Sequence, residues 1–188
     1  MENFIHKSFV FGLLAFVISG CSMFNKEPQV IISNDGSSQL TIPGNWSKQT
    51  GLNAEATLQV ANPREELYAI IIRETKSDFP SGTTLDTVVG IVEDNARKAI
   101  SGAEVSAITP TTIGGFPAKQ LEVGGTVSGL KAKYLYAVVE SPTSFYQIMT
   151  WTLDARYGSN KPKMQEVINS FKEVGGGNSS GNSNTKKP

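Results

Sequence analysis

Three segments of this chain have apolar side chains on both faces of a predicted β-strand. They are 67–72, the second half of 131–140, and 145–153. Such strands must be covered from both sides, because apolar side chains left in water on either face would lose the free energy of burial. The chain must therefore supply two layers of cover for one central sheet.

Two segments have the apolar periodicity of helices and can supply that cover. The first is predicted to begin with Thr83 as its N-cap and to end at Ser101-Gly102. Its apolar stripe consists of Leu85, Val88, Val89, Val92, Ala96 and Ile100. The second is predicted from about Lys161 to Lys172, with Asn160 as a cap. Its stripe consists of Met164, Val167, Ile168 and Phe171.

Short connections between the predicted strands favour antiparallel pairing. Asn34-Asp35-Gly36 separates two N-terminal strands at 30–32 and 39–42, and 141–144 joins two of the central ones. We therefore predict an α+β fold with a mostly antiparallel central sheet that helices cover on both faces.

The N-terminal segment has the pattern of a bacterial lipoprotein signal peptide. Ile18-Ser19-Gly20-Cys21 resembles a lipobox, and it follows an apolar run over 9–17 that Lys7 precedes. The run is too short to span a bilayer comfortably as a helix. We expect cleavage after residue 20 and lipid attachment, including palmitate-type chains, at Cys21, the single cysteine. Ser22 resembles the outer-membrane sorting pattern of Gram-negative lipoproteins.

These patterns divide the chain into four parts. Residues 1–20 are the predicted signal peptide, and 21–29 form a polar, lipidated tether. Residues 30–174 form one domain of ordinary size. Residues 175–188 are rich in Gly, Ser and Asn and contain no large apolar side chain, so the sequence predicts a disordered tail.

Charge and histidine content exclude several classes of function. Lys and Arg total 17, as do Asp and Glu, so no basic surface is predicted to bind nucleic acid. The only histidine, His6, lies in the predicted signal peptide, which leaves the mature domain without imidazole or free thiol. This excludes His-dependent nucleophiles and zinc sites built on His or Cys. We therefore predict a protein that is not an enzyme and that needs no cofactor or metal.

Other polar groups and glycine pairs have structural interpretations. Four acidic residues lack the spacing of an EF-hand loop, which argues against a calcium site. They are Asp78, Asp86, Glu93 and Asp94. Enzymatic activity would require a carboxylate in a cleft, for which Glu74 and Asp154 are the candidates. Gly114-Gly115 and Gly124-Gly125 are typical of turns at sheet edges rather than of phosphate loops.

Five aromatic residues are candidates for either packing or ligand contact. Trp46 and Trp151 suit the core better than a ligand-stacking pair, since both lie in or beside predicted strands. For Tyr134, Tyr136 and Tyr146, packing in the core is the favoured interpretation. The alternative is that they line a pocket between the sheet and a helix.

Several short motifs resemble those of one known family. In chain order they are Leu40-Thr41-Ile42-Pro43-Gly44-Asn45-Trp46, Ile113-Gly114-Gly115-Phe116-Pro117-Ala118, Phe145-Tyr146-Gln147-Ile148 with Trp151-Thr152, and Ser170-Phe171. Together they resemble PsbP-like domains, which include the extrinsic photosystem II protein and bacterial DcrB-type lipoproteins. The resemblance covers about 30–174 and implies an α/β/α sandwich that serves as a non-catalytic scaffold. Histidines that hold metal ions in photosynthetic members have no match in the predicted mature chain.

The sequence thus predicts a lipid-anchored module of the cell envelope with an envelope protein as its partner. The periplasmic face of the outer membrane is favoured over the inner membrane. The alternative is a carrier of a small apolar or lipid ligand between the sheet and a helix. A deep apolar pocket would favour the carrier, and a flat apolar patch would favour the protein partner.

We expect Cys21 of the mature protein to carry a thioether-linked diacylglycerol and an amide-linked acyl chain, because stable anchoring takes more than one chain. Cys21→Ala should release the protein from membranes or stall its processing. Intact-mass analysis of the membrane fraction tests this expectation. An unmodified Cys21 in that fraction would contradict it.

Overall fold

The computed structural model describes residues 27–175. Cys21, the predicted signal peptide, most of the predicted tether and residues 176–188 lie outside the described residues. Within 27–175, neither helix combines the length and the hydropathy that crossing a membrane requires.

Eleven strands and two α-helices make up the described part of the chain. The strands are β1 Gln29–Ile32, β2 Ser38–Ile42, β3 Ser47–Lys48, β4 Leu58–Asn62, β5 Leu67–Thr75, β6 Ser101–Val105, β7 Thr109–Ile113, β8 Phe116–Val127, β9 Leu130–Glu140, β10 Ser144–Leu153 and β11 Lys172–Glu173. The helices are α1 Leu85–Ala99 and α2 Asp154–Asn169.

The main sheet has the strand order β3-β4-β5-β10-β9-β8-β6, and β7 pairs with the first half of β8. Every pairing in it is antiparallel. The three segments predicted to be apolar on both faces are β5, β10 and β9, which are neighbours at its centre. The predicted antiparallel α+β architecture is therefore confirmed.

Side chains of the central strands alternate between two apolar clusters. Along β9, Leu135, Ala137 and Val139 belong to one cluster, and Tyr136 and Val138 belong to the other. Successive residues of a strand point to opposite faces, so the clusters lie on opposite sides of the sheet. The first cluster contains the buried side chains of α2, and the second contains those of α1.

A second, small sheet has the order β1-β2-β11 and adds its buried side chains to the α2 cluster. Leu40 and Ile42 of β2 are fully buried there. Strand β11 pairs with β2 through Lys172 and Glu173, so the C-terminal end of the domain closes on its N-terminal hairpin. Two residues carry too little periodicity for the sequence to predict such a strand.

Helix α1 begins one residue later than the predicted cap implies. Thr84 is the N-cap, and its hydroxyl oxygen accepts a hydrogen bond from the Thr87 amide at 3.3 Å. The hydroxyl of Thr83 instead donates to the Pro80 carbonyl oxygen. Adjacent threonines have equal capping chemistry, so only the course of the backbone selects between them.

Helix α2 begins at Asp154, seven residues before the predicted start. The sequence prediction was wrong there because Gly158 and Pro162 lower intrinsic helix propensity. Asn160, the predicted cap, is instead inside the helix, where its side-chain amide donates to the Thr152 hydroxyl. Tyr157 is buried on the sheet, and this packing offsets the weak propensity of the first turns.

A charged cluster fastens those first turns to the sheet. Glu122 of β8 lies 2.7 Å from the Lys161 ammonium and 3.6 Å from that of Lys133. Both ammonium groups also lie over the ring of Tyr157. Burial raises the pKa of Glu122, but the Lys161 hydrogen bond and the nearby positive charges outweigh it and hold that pKa below its usual value.

The two glycine pairs have different structural causes. Gly114 and Gly115 form the two-residue turn between β7 and β8, both at positive φ, as the turn interpretation predicts. Gly124 and Gly125 lie inside β8, so the turn interpretation is wrong for that pair. A Cβ on Gly125 would approach Cγ2 of Ile100 to 2.4 Å. Close packing of the α1 end against β8 therefore requires glycine there.

Val92→Asp should destabilise the domain, because Val92 is 3% exposed on the buried stripe of α1. An unpaired carboxylate there should cost about 3 kcal/mol, which corresponds to a loss of about 6–12 °C in Tm. Ile91→Asp is the matched control, since Ile91 is 43% exposed on the same turn. Thermal melts of both variants provide the measurement. Equal melts for the two would contradict the placement of α1.

Candidate functional site

A cleft of about 660 Å³ lies on the α1 side of the main sheet. Helix α1 packs mainly on β6, β8 and β9 and leaves the β5–β10 part of that face open. One wall of the cleft consists of α1 side chains, among them Asn95 and Ala99. The other wall comes from segment 49–57, which contributes Leu52, Asn53 and Glu55.

Aromatic side chains form one end of the cleft floor. Tyr68 of β5, Trp151 of β10 and Tyr134 of β9 are directly opposite one another in the strand register. The ring centroids of Tyr68 and Trp151 are 5.2 Å apart, and those of Trp151 and Tyr134 are 5.9 Å apart. We call these three residues the aromatic row. All three are half-buried; Trp151 and Tyr134 line the cleft, and Tyr68 stacks on Trp151 beside it.

The floor continues along the strands with apolar and then polar side chains. Ile70, Met149 and Tyr136 form the next row, and Ile72 and Gln147 follow. This order comes from the two-residue period of a strand, which brings every second residue of β5 and β10 to this face. The cleft therefore has an aromatic end and a polar end.

Hydrogen bonds to Gln59 hold the wall formed by segment 49–57. Its side-chain oxygen accepts from the backbone amides of Leu52 and Asn53, at 2.8 and 3.2 Å. Its side-chain nitrogen donates to the Asn53 carbonyl oxygen at 3.0 Å. The wall is thus tied to β4, which gives this irregular segment a defined position.

The charged rim of the cleft is acidic. Glu74 accepts a hydrogen bond from the Gln147 side-chain amide at 2.6 Å, and Glu55 is exposed on the opposite wall. Arg73 also lines the cleft, but its guanidinium donates to Ser144 and lies 3.7 Å from Asp35. Among the ion pairs of residues 27–175, none involves Glu55 or Glu74.

The tyrosines of the floor stay neutral at physiological pH. Burial raises the pKa of Tyr134, and burial together with the neighbouring Tyr134 raises the pKa of Tyr136. Their hydroxyl groups therefore remain hydrogen-bond donors rather than bases. Such a surface suits the binding of an apolar or aromatic body.

The aromatic residues that the sequence offers as candidates lie on different faces of the sheet, some in the cleft and some in the core. Trp46 is 2% exposed in the α2 cluster, so it does not pair with Trp151 of the cleft. Tyr134 and Tyr136 line the cleft, whereas Tyr146 lies on the opposite face and donates to Glu173 at 2.9 Å. Sequence reasoning missed Ile72, which lines the cleft, and Tyr68, which stacks on Trp151 beside it. Their alternate positions in the 67–72 segment are the signal that places both on the same face of the strand.

The acidic candidates are spread over separate contacts. Asp86 pairs with Lys119, Glu93 with Arg97, and Asp78 accepts from the Thr75 amide at 3.1 Å. Within residues 27–175, no three His, Cys, Asp or Glu side chains are grouped to hold a metal ion. Of the two carboxylates considered for enzymatic activity, Glu74 lines the cleft, and Asp154 is in the first turn of α2.

Comparison with known proteins identifies the fold. No family model matches the sequence, and no curated protein matches it either. The structure is similar to that of cyanobacterial PsbP (CyanoP) from Synechocystis, with a TM-score of 0.61 and 17% identity over 82% of this chain and 96% of that chain. It is also similar to LpqN, involved in cell envelope biogenesis of Mycobacterium tuberculosis, with a TM-score of 0.58 and 15% identity over 79% of this chain and 91% of that chain. The predicted PsbP-like fold is confirmed, and lipid attachment at Cys21 stays a prediction.

Acrylamide quenching should distinguish the two tryptophans. Trp46→Phe leaves Trp151 as the only emitter, and Trp151→Phe leaves the buried Trp46. We expect Trp151 to be quenched severalfold more strongly and to emit at longer wavelength, because solvent reaches the cleft floor. Equal quenching constants would show that the cleft is closed in solution.

Proposed function

We propose that this protein is a lipid-anchored, non-catalytic module of the cell envelope that acts in interaction or assembly. Cys21 attaches it to the membrane, with the periplasmic face of the outer membrane as its site. The lipobox pattern supports this proposal. The fold likeness to LpqN, a protein of cell envelope biogenesis, is consistent with an envelope role.

The open cleft is the observation on which the proposal depends. Half-buried aromatic and aliphatic side chains line this cleft beside α1, among them Trp151, Tyr134 and Met149. Partly exposed apolar side chains gathered in a cleft are typical of interaction sites. We take the two helices, one on each face, as the frame of an α/β/α sandwich that leaves this cleft free for a partner.

The non-catalytic part of the proposal depends on the chemistry of the side chains. Residues 27–175 contain neither histidine nor cysteine. The floor of the cleft is mainly apolar, and its tyrosines remain protonated. We expect the protein to work without a metal or an organic cofactor and without nucleic acid.

A carrier of a small apolar or lipid ligand is the second candidate function. The cleft volume of about 660 Å³ favours it, since small-molecule sites typically have about 300–1,000 Å³. An apolar floor with a few polar groups at one end is also typical of such sites. The two candidates predict different occupants of the same cleft.

Site-specific photo-crosslinking in intact envelopes tests the proposal. A photoreactive residue at Asn95 faces the cleft from an exposed position on α1, and the exposed neighbour Asp94 does not line it. We expect a discrete adduct from position 95 that is absent from position 94. A protein-sized adduct supports the interaction module, and an adduct of small-molecule mass supports the carrier. Identical patterns at both positions, or no adduct at either, would contradict a role for the cleft.

A further inference from the structure

The cleft has the dimensions of an elongated ligand. From the level of Trp151, which is opposite Tyr68, to Glu74 the floor spans six residue steps of β5, a length of about 20 Å at about 3.4 Å per residue. Walls from α1 and segment 49–57 limit the cleft on both long sides. Only side chains are available for contact, since β5 and β10 are both paired with strands on each side. An added β-strand therefore cannot dock here, and an elongated small molecule fits the space better.

The charged side chains of the cleft that lack an ion-pair partner among residues 27–175 are both acidic. They are Glu74 and Glu55. Arg73 also lines the cleft, but its guanidinium is directed to Ser144 and Asp35.

A second cation, on Lys76, lies near the rim and is also paired. The Lys76 ammonium lies 5.2 Å from the centre of the ring of Phe145, which is opposite Glu74 in the strand register. This ammonium pairs with Glu140 at 2.7 Å. A negative head group at the rim would therefore meet two carboxylates, while both nearby cations are already paired.

The position of Glu74 defines where a positive head would bind. The aromatic row lies at the other end of the floor, beyond the range of about 6 Å over which rings attract cations, so its two cleft-lining rings contact the apolar body of a ligand. The Gln147 side-chain amide is occupied by Glu74 and fixes that carboxylate at the polar end of the floor. The rim thus selects the charge of the head, and the floor selects an apolar body.

We propose that the cleft selects a cationic amphiphile, a small molecule with an elongated apolar body and an ammonium-type head. The body lies on the half-buried side chains of Ile72, Met149 and Trp151 between the walls. The head lies at the acidic rim near Glu74 and Glu55. This inference rests on the proposed function, in that the cleft is taken as a binding site, and it names the chemical class of the occupant.

Calorimetric titration with three probes of equal chain length tests the selection. Decyltrimethylammonium, decyl sulfate and decyl maltoside are titrated below micelle formation into the full chain carrying Cys21→Ala, so that no attached lipid competes. Near-ultraviolet circular dichroism checks that the fold persists. We expect the ammonium probe to bind at least about tenfold more tightly than the sulfate, with a smaller difference at high salt because of screening.

Two double variants locate the charge effect. Glu55→Gln with Glu74→Gln removes the acidic rim and should reduce the preference to about twofold or less. Asp94→Asn with Glu104→Gln removes two exposed carboxylates that do not line the cleft, so the preference should persist. A preference that survives the first pair, or that disappears with the second, overturns the inference.

The remaining outcomes separate this inference from the proposed function. Equal binding of all three probes would overturn charge selection and leave the cleft as an apolar binding site. Absence of binding together with a protein adduct at position 95 would overturn the small-molecule occupant and leave the interaction module standing. Absence of both binding and adduct would overturn the inference and the proposed function together.

Discussion

The pairing of β5, β10 and β9 is the constraint on which the rest of the structure depends. Strands β10 and β9 supply alternate side chains to two clusters, and β5 supplies alternate side chains to the α2 cluster, so one register serves both faces of the sheet. Phe145 enters the α1 cluster, and its neighbour Tyr146 enters the α2 cluster. A shift of the strand register by one residue would exchange these two side chains and place each of them on the wrong face of the sheet. Burial of one such side chain contributes about 1.5–3 kcal/mol, so the register is strongly determined.

Cover of the two faces is unequal, and the cleft is the consequence. On one face of the main sheet, α2 and the small sheet together cover the strands through buried residues such as Leu40, Ile42 and Phe171. On the other face, α1 packs over β6, β8 and β9, and segment 49–57 supplies the remaining wall. The uncovered strip carries Trp151 and its aromatic neighbours, whose mutual stacking compensates in part for their exposure.

The sequence predictions were wrong at two places where tertiary contacts outweigh local sequence signals. Helix α2 starts at Asp154 although Gly158 and Pro162 oppose a helix there, because Tyr157 packs on the sheet between two lysine side chains. Gly125 lies inside β8 and not in a turn. Glycine is needed there because Ile100, 25 residues earlier in the chain, packs against its Cα and leaves no room for a Cβ. Neither contact has a counterpart in local periodicity or turn chemistry.

By itself, the sequence determined the α+β class, the central strands, the existence of α1 and the prediction of lipid attachment at Cys21, because strand alternation, helical periodicity and the lipobox are all local patterns. The tertiary structure alone decided which part of one sheet face α1 leaves open, and that Trp151 and Tyr134 meet there with Tyr68 beside them. It also decided that Glu55 and Glu74 both line the cleft. These outcomes depend on strand order and on the lateral position of a helix. Periodicity shows which side of an element is apolar, but it does not show what will cover that side.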